Sequence, residues 1–230
     1  SLAGKFCTHD DLGSFHLPTR AFYAEQLSRG EPFDWIPSLF GGFYLTGEGQ
    51  VGMYHPWHWM LYGLLPLRAA MACELVGSYA FLLAGMYLFL RQAVGRRDAA
   101  MFGSLVFTFS GYNLLRFVHP NAVAVVAHIP WLLAMIGVVM SDARRRYRAL
   151  AGTAVALLTA SQLLFGHPQY VWISLLVEAA YVVFLGVGSP GKWMYLAASK
   201  AVGLMLGAIQ VLPTIESVLS ADRPVANASF

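Results

Sequence analysis

The feature that most constrains this chain is a succession of long apolar stretches separated by short connectors. A helix of about 20 apolar residues crosses the hydrocarbon core of a bilayer, and such a helix satisfies its own backbone hydrogen bonds in lipid. The sequence therefore predicts an all-α polytopic membrane protein with about six transmembrane helices. The predicted spans lie at 71–90, 99–117, 121–140, 149–166, 169–187 and 193–212.

Composition excludes the class of soluble domains. Hydrophobic residues make up 57% of the 230 residues, charged residues make up 12%, and the mean hydropathy is +0.56. A soluble surface needs more charge than this to stay hydrated. The net charge is only +3, and the basic residues cluster between apolar runs. That pattern is typical of membrane orientation, so we expect no nucleic-acid partner.

The connectors alternate in charge. Most of the basic charge lies in RQAVGRRD (91–98), SDARRRYR (141–148) and GSPGK (188–192), whereas VHPN (118–121) and GHPQ (166–169) carry almost none. Short positively charged loops stay on the cytoplasmic side of a membrane. The first set is therefore predicted to face the cytoplasm and the second set to face outward.

This orientation divides the chain into three parts. Residues 1–70 form a long extracytoplasmic loop, 71–212 form the transmembrane bundle, and 213–230 form an extracytoplasmic tail. Because a chain that starts outside must be translocated, we expect a first transmembrane helix upstream of Ser1.

Turn formers and aromatic residues in the predicted loop indicate short interfacial helices rather than spans. The stretch LPTRAFYAEQLSRGE (17–31) predicts an amphipathic helix. Pro18 would lie near its first turn and Gly30 just past its end, which are the positions that these residues prefer.

Polar side chains gather on the predicted outer face. Gly166 and Pro168 break the chain between two apolar runs, so His167 and Gln169 are presented at helix ends. Six of the seven histidines fall in outer segments. The sequence therefore predicts a polar site at the outer membrane surface. The polar residues of this face are His9, Asp10, Asp11, His16, Arg20, Asp34, Glu48, His55, His58, Arg116, His119, Asn121, His167, Gln169 and Glu216.

Several of these residues have two interpretations. Asp10 and Asp11 fit a solvated loop or a helix N-cap, and they equally fit a general base or a metal-binding carboxylate. Arg116 fits a side chain that reaches for the headgroups or one that holds an anionic substrate. His119 and His167 fit polar turn residues or hydrogen-bond donors to a phosphate or sugar.

Ionisable residues near or inside the apolar runs carry further expectations. His55 and His58 fit an interfacial aromatic belt, or ligands on one helical face. Glu74 lies near the outer end of its span, where we expect it to be hydrated, whereas Glu178 is expected to be protonated or paired within the bundle. Only His128 lies inside an apolar run, so no haem is expected.

Four motifs in order resemble the N-terminal portion of YfhO-like bacterial membrane proteins, which are GT-C superfamily polytopic glycosyltransferases. The first runs from HDDLGSFHLPTRAFYAEQLSRGEPFDWIPSLFGGFYL to GQVGMYHPWHWMLYGLLPL. The others are FSGYNLLRFVHPNAVAVVAHIPWLL, QLLFGHPQY and GAIQVLPTIE. The resemblance implies a GT-C-like fold in the bacterial cytoplasmic membrane.

The resemblance also implies an activity: transfer of a sugar from a polyprenyl-phosphate donor to an extracytoplasmic cell-envelope acceptor. The acidic motif of the first loop would be catalytic, which here means Asp10 and Asp11, with or without a divalent metal such as Mg²⁺ or Mn²⁺ bound there. No nucleotide is expected. The predicted substrate-binding residues are His16, Arg20, Arg116, His119, His167, Gln169 and Glu216.

A second hypothesis belongs to a different class. The chain would be a non-catalytic structural or accessory transmembrane subunit of a larger membrane complex, with its outer polar residues binding lipid or other membrane subunits. The intact acidic motif and the His-Pro turns favour the enzyme, whereas the short chain favours the subunit.

Overall fold

A computed structural model of the chain describes residues 10–186 and 189–220, and almost all of this part is helical. The other described elements are a π-helical turn (Leu12–His16), a 3-10 turn (Arg116–Val118) and one antiparallel pair of short strands. The strands are β1 (Trp35–Ile36) and β2 (Phe43–Tyr44). The α-helices are α1 (Leu17–Arg29), α2 (Leu45–Glu48), α3 (Pro56–Leu64), α4 (Leu67–Val94), α5 (Arg97–Thr108), α6 (Gly111–Leu115), α7 (Pro120–Met140), α8 (Arg145–Phe165), α9 (Pro168–Phe184), α10 (Pro190–Leu206) and α11 (Ala208–Ser220).

The helix predicted over 17–31 is confirmed as α1. Pro18 lies in its first turn, where a missing N–H costs nothing. The helix ends because Gly30 adopts a left-handed conformation with φ of 67°, and the Gly30 N–H donates to carbonyls of the last turn.

The described part of the predicted loop, from residue 10 to residue 70, folds onto the start of α4. Its apolar side chains form one buried cluster that includes Tyr23, Leu45, Met53 and Leu61 and that extends to Met71 on α4. Burial of each large apolar side chain contributes about 1.5–3 kcal/mol. This cluster therefore fixes the segment to one end of the bundle.

Three helices, α4, α7 and α8, are long and apolar enough to cross a membrane by length and composition. Helices α10 and α11 would together count as a fourth span, but the chain bends by 72° at the break between them. Helix α9 is apolar but has only 17 residues. The described chain is thus a nearly all-α protein with three or four candidate spans, where the sequence predicted about six.

Two predicted spans differ from the structure for identifiable reasons. The stretch 99–117 is interrupted after α5, whose 12 residues cover about 18 Å of the roughly 30 Å needed. Ser110 is extended there, and the Asn113 side chain donates to the Phe107 carbonyl at 2.7 Å. The stretch 193–212 bends at Gly207, where a Cβ would lie 2.7 Å from the Leu163 side chain.

Helix α7 is the centre of the bundle and packs against α4, α8, α9 and α10. Glu178 on α9 is ion-paired with Lys200 on α10 at 2.7 Å, and Ser174 donates to the same carboxylate at 2.9 Å. Lys200 also donates to Thr159 on α8. The expectation that Glu178 is paired within the bundle is confirmed.

The connectors sort to two ends of the bundle. Lys192 reaches Asp142 at 2.7 Å, so the basic connectors before α8 and before α10 share one end. At the opposite end, where α7 and α9 begin, the His167 N–H donates to the Gly49 carbonyl at 2.8 Å. The two turns that carry His-Pro therefore lie beside the N-terminal segment, as the alternation of charge predicted.

Candidate functional site

A polar cavity of about 550 Å³ opens at the end of the bundle where α7 and α9 begin. Its wall is formed by the π-helical turn before α1, the loop after α2, the 3-10 turn before α7 and the turn between α8 and α9. Six of the residues that were predicted to be catalytic or substrate-binding line it. They are Asp11, His16, Arg116, His119, His167 and Gln169.

Asp11 supplies the carboxylate that the sequence predicted for this site. Its Oδ2 atom lies 3.4 Å from Nδ1 of His119, and its side chain is half-exposed. The His119 ring in turn meets the His16 ring edge to face, with centroids 6.2 Å apart. One carboxylate and two imidazoles from distant parts of the chain thus face a common space.

His16 is almost completely buried in the cavity wall. Burial, reinforced by the positive charge of Arg20, lowers the pKa of His16 to about 3, so the imidazole is neutral at pH 7. Within the described residues, its Nδ1 atom has no hydrogen-bond partner. Because a buried polar atom is costly when unpaired, this nitrogen is a ready contact for a bound molecule.

The turn at 166–168 depends on a glycine. Gly166 has φ of 84° and ψ of −150°, a region that only glycine occupies readily. His167 follows in a left-handed conformation with φ of 59°, and Pro168 begins α9. Burial, together with the nearby His119, lowers the pKa of His167 to about 4. The turn therefore holds a neutral imidazole in a strained position at the cavity wall.

Within the described residues, Arg116 is held by aromatic rings rather than by a carboxylate. Its guanidinium carbon lies 5.4 Å from the Tyr112 ring centroid and 6.0 Å from that of Tyr170. The Tyr112 hydroxyl donates to the Tyr170 hydroxyl at 2.8 Å, which fixes the two rings together. Cation–π contacts orient a guanidinium without neutralising it. The cavity therefore holds an oriented guanidinium that can meet a bound anion.

The structure does not bring three of the predicted residues to this cavity. Asp10 lies one residue outside it with φ of 56°, and its carbonyl accepts the backbone N–H groups that start the π-helical turn. Glu216 is exposed on α11. Arg20 is completely buried, and its guanidinium contacts Glu74 on α4 at 2.6 Å. The expectation that Glu74 is hydrated is wrong, because its side chain is buried in this ion pair.

His9 and residues 221–230 lie outside the described residues, so their expected places on the outer face are untested. His55 and His58 are buried rather than exposed in an aromatic belt, and neither lines this cavity. Nδ1 of His58 pairs with the Gly52 carbonyl at 2.7 Å, and Nε2 of His55 pairs with Ser161 at 2.8 Å.

Glu48, which the sequence placed on the outer face without a predicted role, also lines the cavity, as do Phe15, Gln50 and Tyr170. Glu48 accepts from the backbone N–H of Gln50 at 2.8 Å and also from its side chain. Burial raises the pKa of Glu48, although these hydrogen bonds oppose it. No local pattern predicts that Glu48 and Gln50 line this cavity, because GEGQ resembles an ordinary polar turn. Its place in the wall depends on the contact between Gly49 and the GHPQ turn.

The part of the chain that the structure describes places no metal site in this cavity. Between residues 10 and 186 and between 189 and 220, no group of three or more His, Cys, Asp or Glu side chains is placed to hold a metal ion. Asp11 lines the cavity, whereas Asp10 does not. The divalent metal stays a prediction, and the chemistry proposed below uses side chains alone.

The neutral histidines predict a pH dependence of stability. Unfolded histidine titrates near 6.5, whereas His16 titrates near 3 in the fold. Between these values the unfolded state binds the extra proton, so the free energy of unfolding falls as the pH is lowered from about 6.5. The His16 share of this slope is at most about 1.4 kcal/mol per pH unit.

Thermal unfolding of wild-type protein and His16→Gln in detergent, between pH 7.5 and 4, measures that share. We expect the variant to lose less stability on acidification, although other buried histidines keep part of the slope in both proteins. If the stability of the two proteins fell equally with pH, His16 would have to be protonated in the folded state or exposed.

Comparison of this chain with models of protein families, with curated proteins and with solved structures found no match. The resemblance to YfhO-like proteins therefore rests on the order of the sequence motifs alone. What the structure adds is the convergence of Asp11, Arg116, His119 and His167 on one cavity.

Proposed function

We propose that the chain is a membrane glycosyltransferase, or a truncated relative, of the YfhO-like, GT-C type. It would transfer a sugar from a polyprenyl-phosphate donor to a cell-envelope acceptor, on the extracytoplasmic side of the bacterial cytoplasmic membrane. One observation carries the proposal: a polar cavity at one end of an apolar helix bundle combines a carboxylate with a guanidinium and neutral imidazoles. Such a position gives a lipid-linked sugar access to water while its chain stays among apolar helices.

Asp11 is the general base in this proposal. An acceptor hydroxyl is a poor nucleophile, and a half-exposed carboxylate can accept its proton as the oxygen attacks the anomeric carbon. The bond from oxygen to the anomeric carbon forms, while the bond from that carbon to the phosphate oxygen breaks. His119, 3.4 Å from Asp11, orients the carboxylate.

Arg116 and the neutral imidazoles serve the leaving phosphate. A guanidinium offers two parallel N–H groups to phosphate oxygens, and the ring contacts of Arg116 leave it without a competing carboxylate partner among the described residues. His16 Nδ1, which has no partner, and the side chains of His167 and Gln169 line the same space. Charge that develops on the phosphate would be stabilised by these preorganised groups.

The test is sugar transfer by the purified full chain in liposomes that contain a pool of polyprenyl-phosphate-linked hexoses. Release of polyprenyl phosphate is the readout. We expect Asp11→Asn to reduce the rate by roughly 100-fold, because general base catalysis is lost while shape is kept. Asp142→Asn is the matched control, since Asp142 is exposed at the opposite end of the bundle, and it should transfer at the wild-type rate.

Equal rates for Asp11→Asn and wild type would refute the catalytic role of Asp11. If the wild-type chain releases no polyprenyl phosphate from any donor in the pool, the enzyme hypothesis fails. The alternative of an accessory transmembrane subunit would then stand in its place.

A further inference from the structure

A second cavity, of about 380 Å³, lies deeper in the bundle between α3, α4, α7 and α8. Phe165 lines it, whereas His167, two residues later, lines the polar cavity. Its wall is mainly apolar and includes Trp57, Phe81 and Ala124. No charged side chain is among the described residues that line it. The space therefore suits a neutral, apolar group.

One hydroxyl in this cavity lies between two imidazoles. The Ser161 Oγ atom is 2.8 Å from Nε2 of His55 and 2.8 Å from Nε2 of His128. Both histidines are buried, but Ser161 keeps part of its surface exposed. Ser161 lines the cavity, so its hydroxyl can meet a molecule bound there, while further hydrogen bonds fix its two partners.

The other ring nitrogens determine which way the hydrogen bonds run. Nδ1 of His55 accepts the backbone N–H of Trp57 at 3.1 Å, so the proton of this neutral ring is on Nε2 and is donated to Ser161. Nδ1 of His128 contacts the Ala124 carbonyl at 2.7 Å, which can only accept. Nε2 of His128 is therefore unprotonated and accepts the Ser161 hydroxyl proton.

This arrangement has the three parts of an activated nucleophile: a hydroxyl, a base within hydrogen-bond reach, and a third group that orients the base. We propose that Ser161 is the nucleophile of an acyl-transfer site, with His128 as its base, and that the substrate is an uncharged ester with an apolar acyl chain. The Ala124 carbonyl holds the base in the correct tautomer. This proposal does not rest on glycosyl transfer in the polar cavity.

The step balances within these groups. Ser161 Oγ forms a bond to the ester carbonyl carbon, His128 Nε2 takes the hydroxyl proton, and the alcohol leaves with that proton as its bond to carbon breaks. The Nε2–H of His55, released from Oγ by the attack, donates to the carbonyl oxygen as negative charge develops on it. Water then cleaves the acyl-serine by the reverse proton path.

A long-chain alkyl fluorophosphonate tests the proposal in the purified full chain in detergent. Such a probe would form an Oγ–P bond and lose fluoride, with the serine proton passing through His128. Peptide mass spectrometry should find the adduct on Ser161. A long-chain p-nitrophenyl ester should be hydrolysed, and Ser161→Ala should abolish both reactions.

We expect His128→Gln to slow labelling by roughly 100-fold, as for loss of a general base. Ser199→Ala is the matched control, because Ser199 is a buried helical serine whose hydroxyl donates to the Tyr195 carbonyl at 3.0 Å, and it does not line this cavity. It should label at the wild-type rate. If the wild-type chain formed no adduct on Ser161, the proposal would be overturned whatever the variants did. Equal labelling of wild type and a folded His128→Gln would also overturn it.

Discussion

Replacement of Glu74 by glutamine is expected to lower the free energy of unfolding by about 3–5 kcal/mol. The Arg20 guanidinium is completely buried and lies 2.6 Å from the Glu74 carboxylate. The Tyr62 hydroxyl donates to the same carboxylate, and Nε2 of His58 lies 3.3 Å from it. Without the carboxylate, the positive charge of Arg20 would stay buried and uncompensated.

The position of this ion pair makes the effect large. Arg20 belongs to α1, Tyr62 to α3 and Glu74 to α4, and Arg20 also donates to the Val51 carbonyl in the loop between them. The network is thus the polar anchor that joins the N-terminal segment to the bundle. Its loss would loosen the loop that carries Gln50 into the cavity.

The measurement is thermal or denaturant unfolding of the purified chain in detergent. A double variant, Arg20→Met with Glu74→Leu, should lose far less stability than Glu74→Gln, since no buried charge is left. Glu25→Gln is a surface control, because Glu25 forms an exposed pair with Arg29 and such pairs contribute little. If Glu74→Gln were as stable as Glu25→Gln, the pair would have to be hydrated.

Gly166→Ala is expected to destabilise the chain by about 3 kcal/mol or more, from backbone strain and overpacking together. A Cβ at this position would lie 2.1 Å from the Gly49 carbonyl oxygen, which belongs to backbone and cannot rotate away. The φ of 84° with ψ of −150° adds conformational strain. Relief of the clash would separate the GHPQ turn from the GEGQ loop.

The same unfolding measurement tests this prediction. Gly63→Ala is the matched control, since Gly63 is helical and has nothing within 4 Å of the added methyl group. It should be neutral or slightly stabilising, because alanine favours helix. A Gly166→Ala chain with wild-type stability would show that the two loops do not touch.

Local patterns in the sequence predicted the features that depend on neighbouring residues. The start and end of α1 follow from Pro18 and Gly30, and α7 and α8 follow from long apolar runs. The shared end of the two His-Pro turns follows from alternation of charge along antiparallel helices. The first two rules act over a few residues or one helix length, and the third needs only the charges of successive connectors.

Features that depend on tertiary packing escaped prediction. The partner of Arg20 is 54 residues away, and no periodicity indicates that Glu74 faces it. The break after α5 depends on a side chain that competes for a backbone carbonyl, which hydropathy does not register. Glu48 enters the cavity only because Gly49 meets the GHPQ turn.

Contacts made by helix α11 imply that the polar cavity is completed late in folding. The Gln210 side chain donates to the Thr46 carbonyl across a separation of 164 residues, and the Thr214 side chain packs against Gly49. The loop that carries Glu48 is therefore clamped between the GHPQ turn and α11. During synthesis, the cavity stays unfinished until residue 210 has been made and docked. An incomplete chain would consequently lack the contacts that hold Glu48 in the cavity wall.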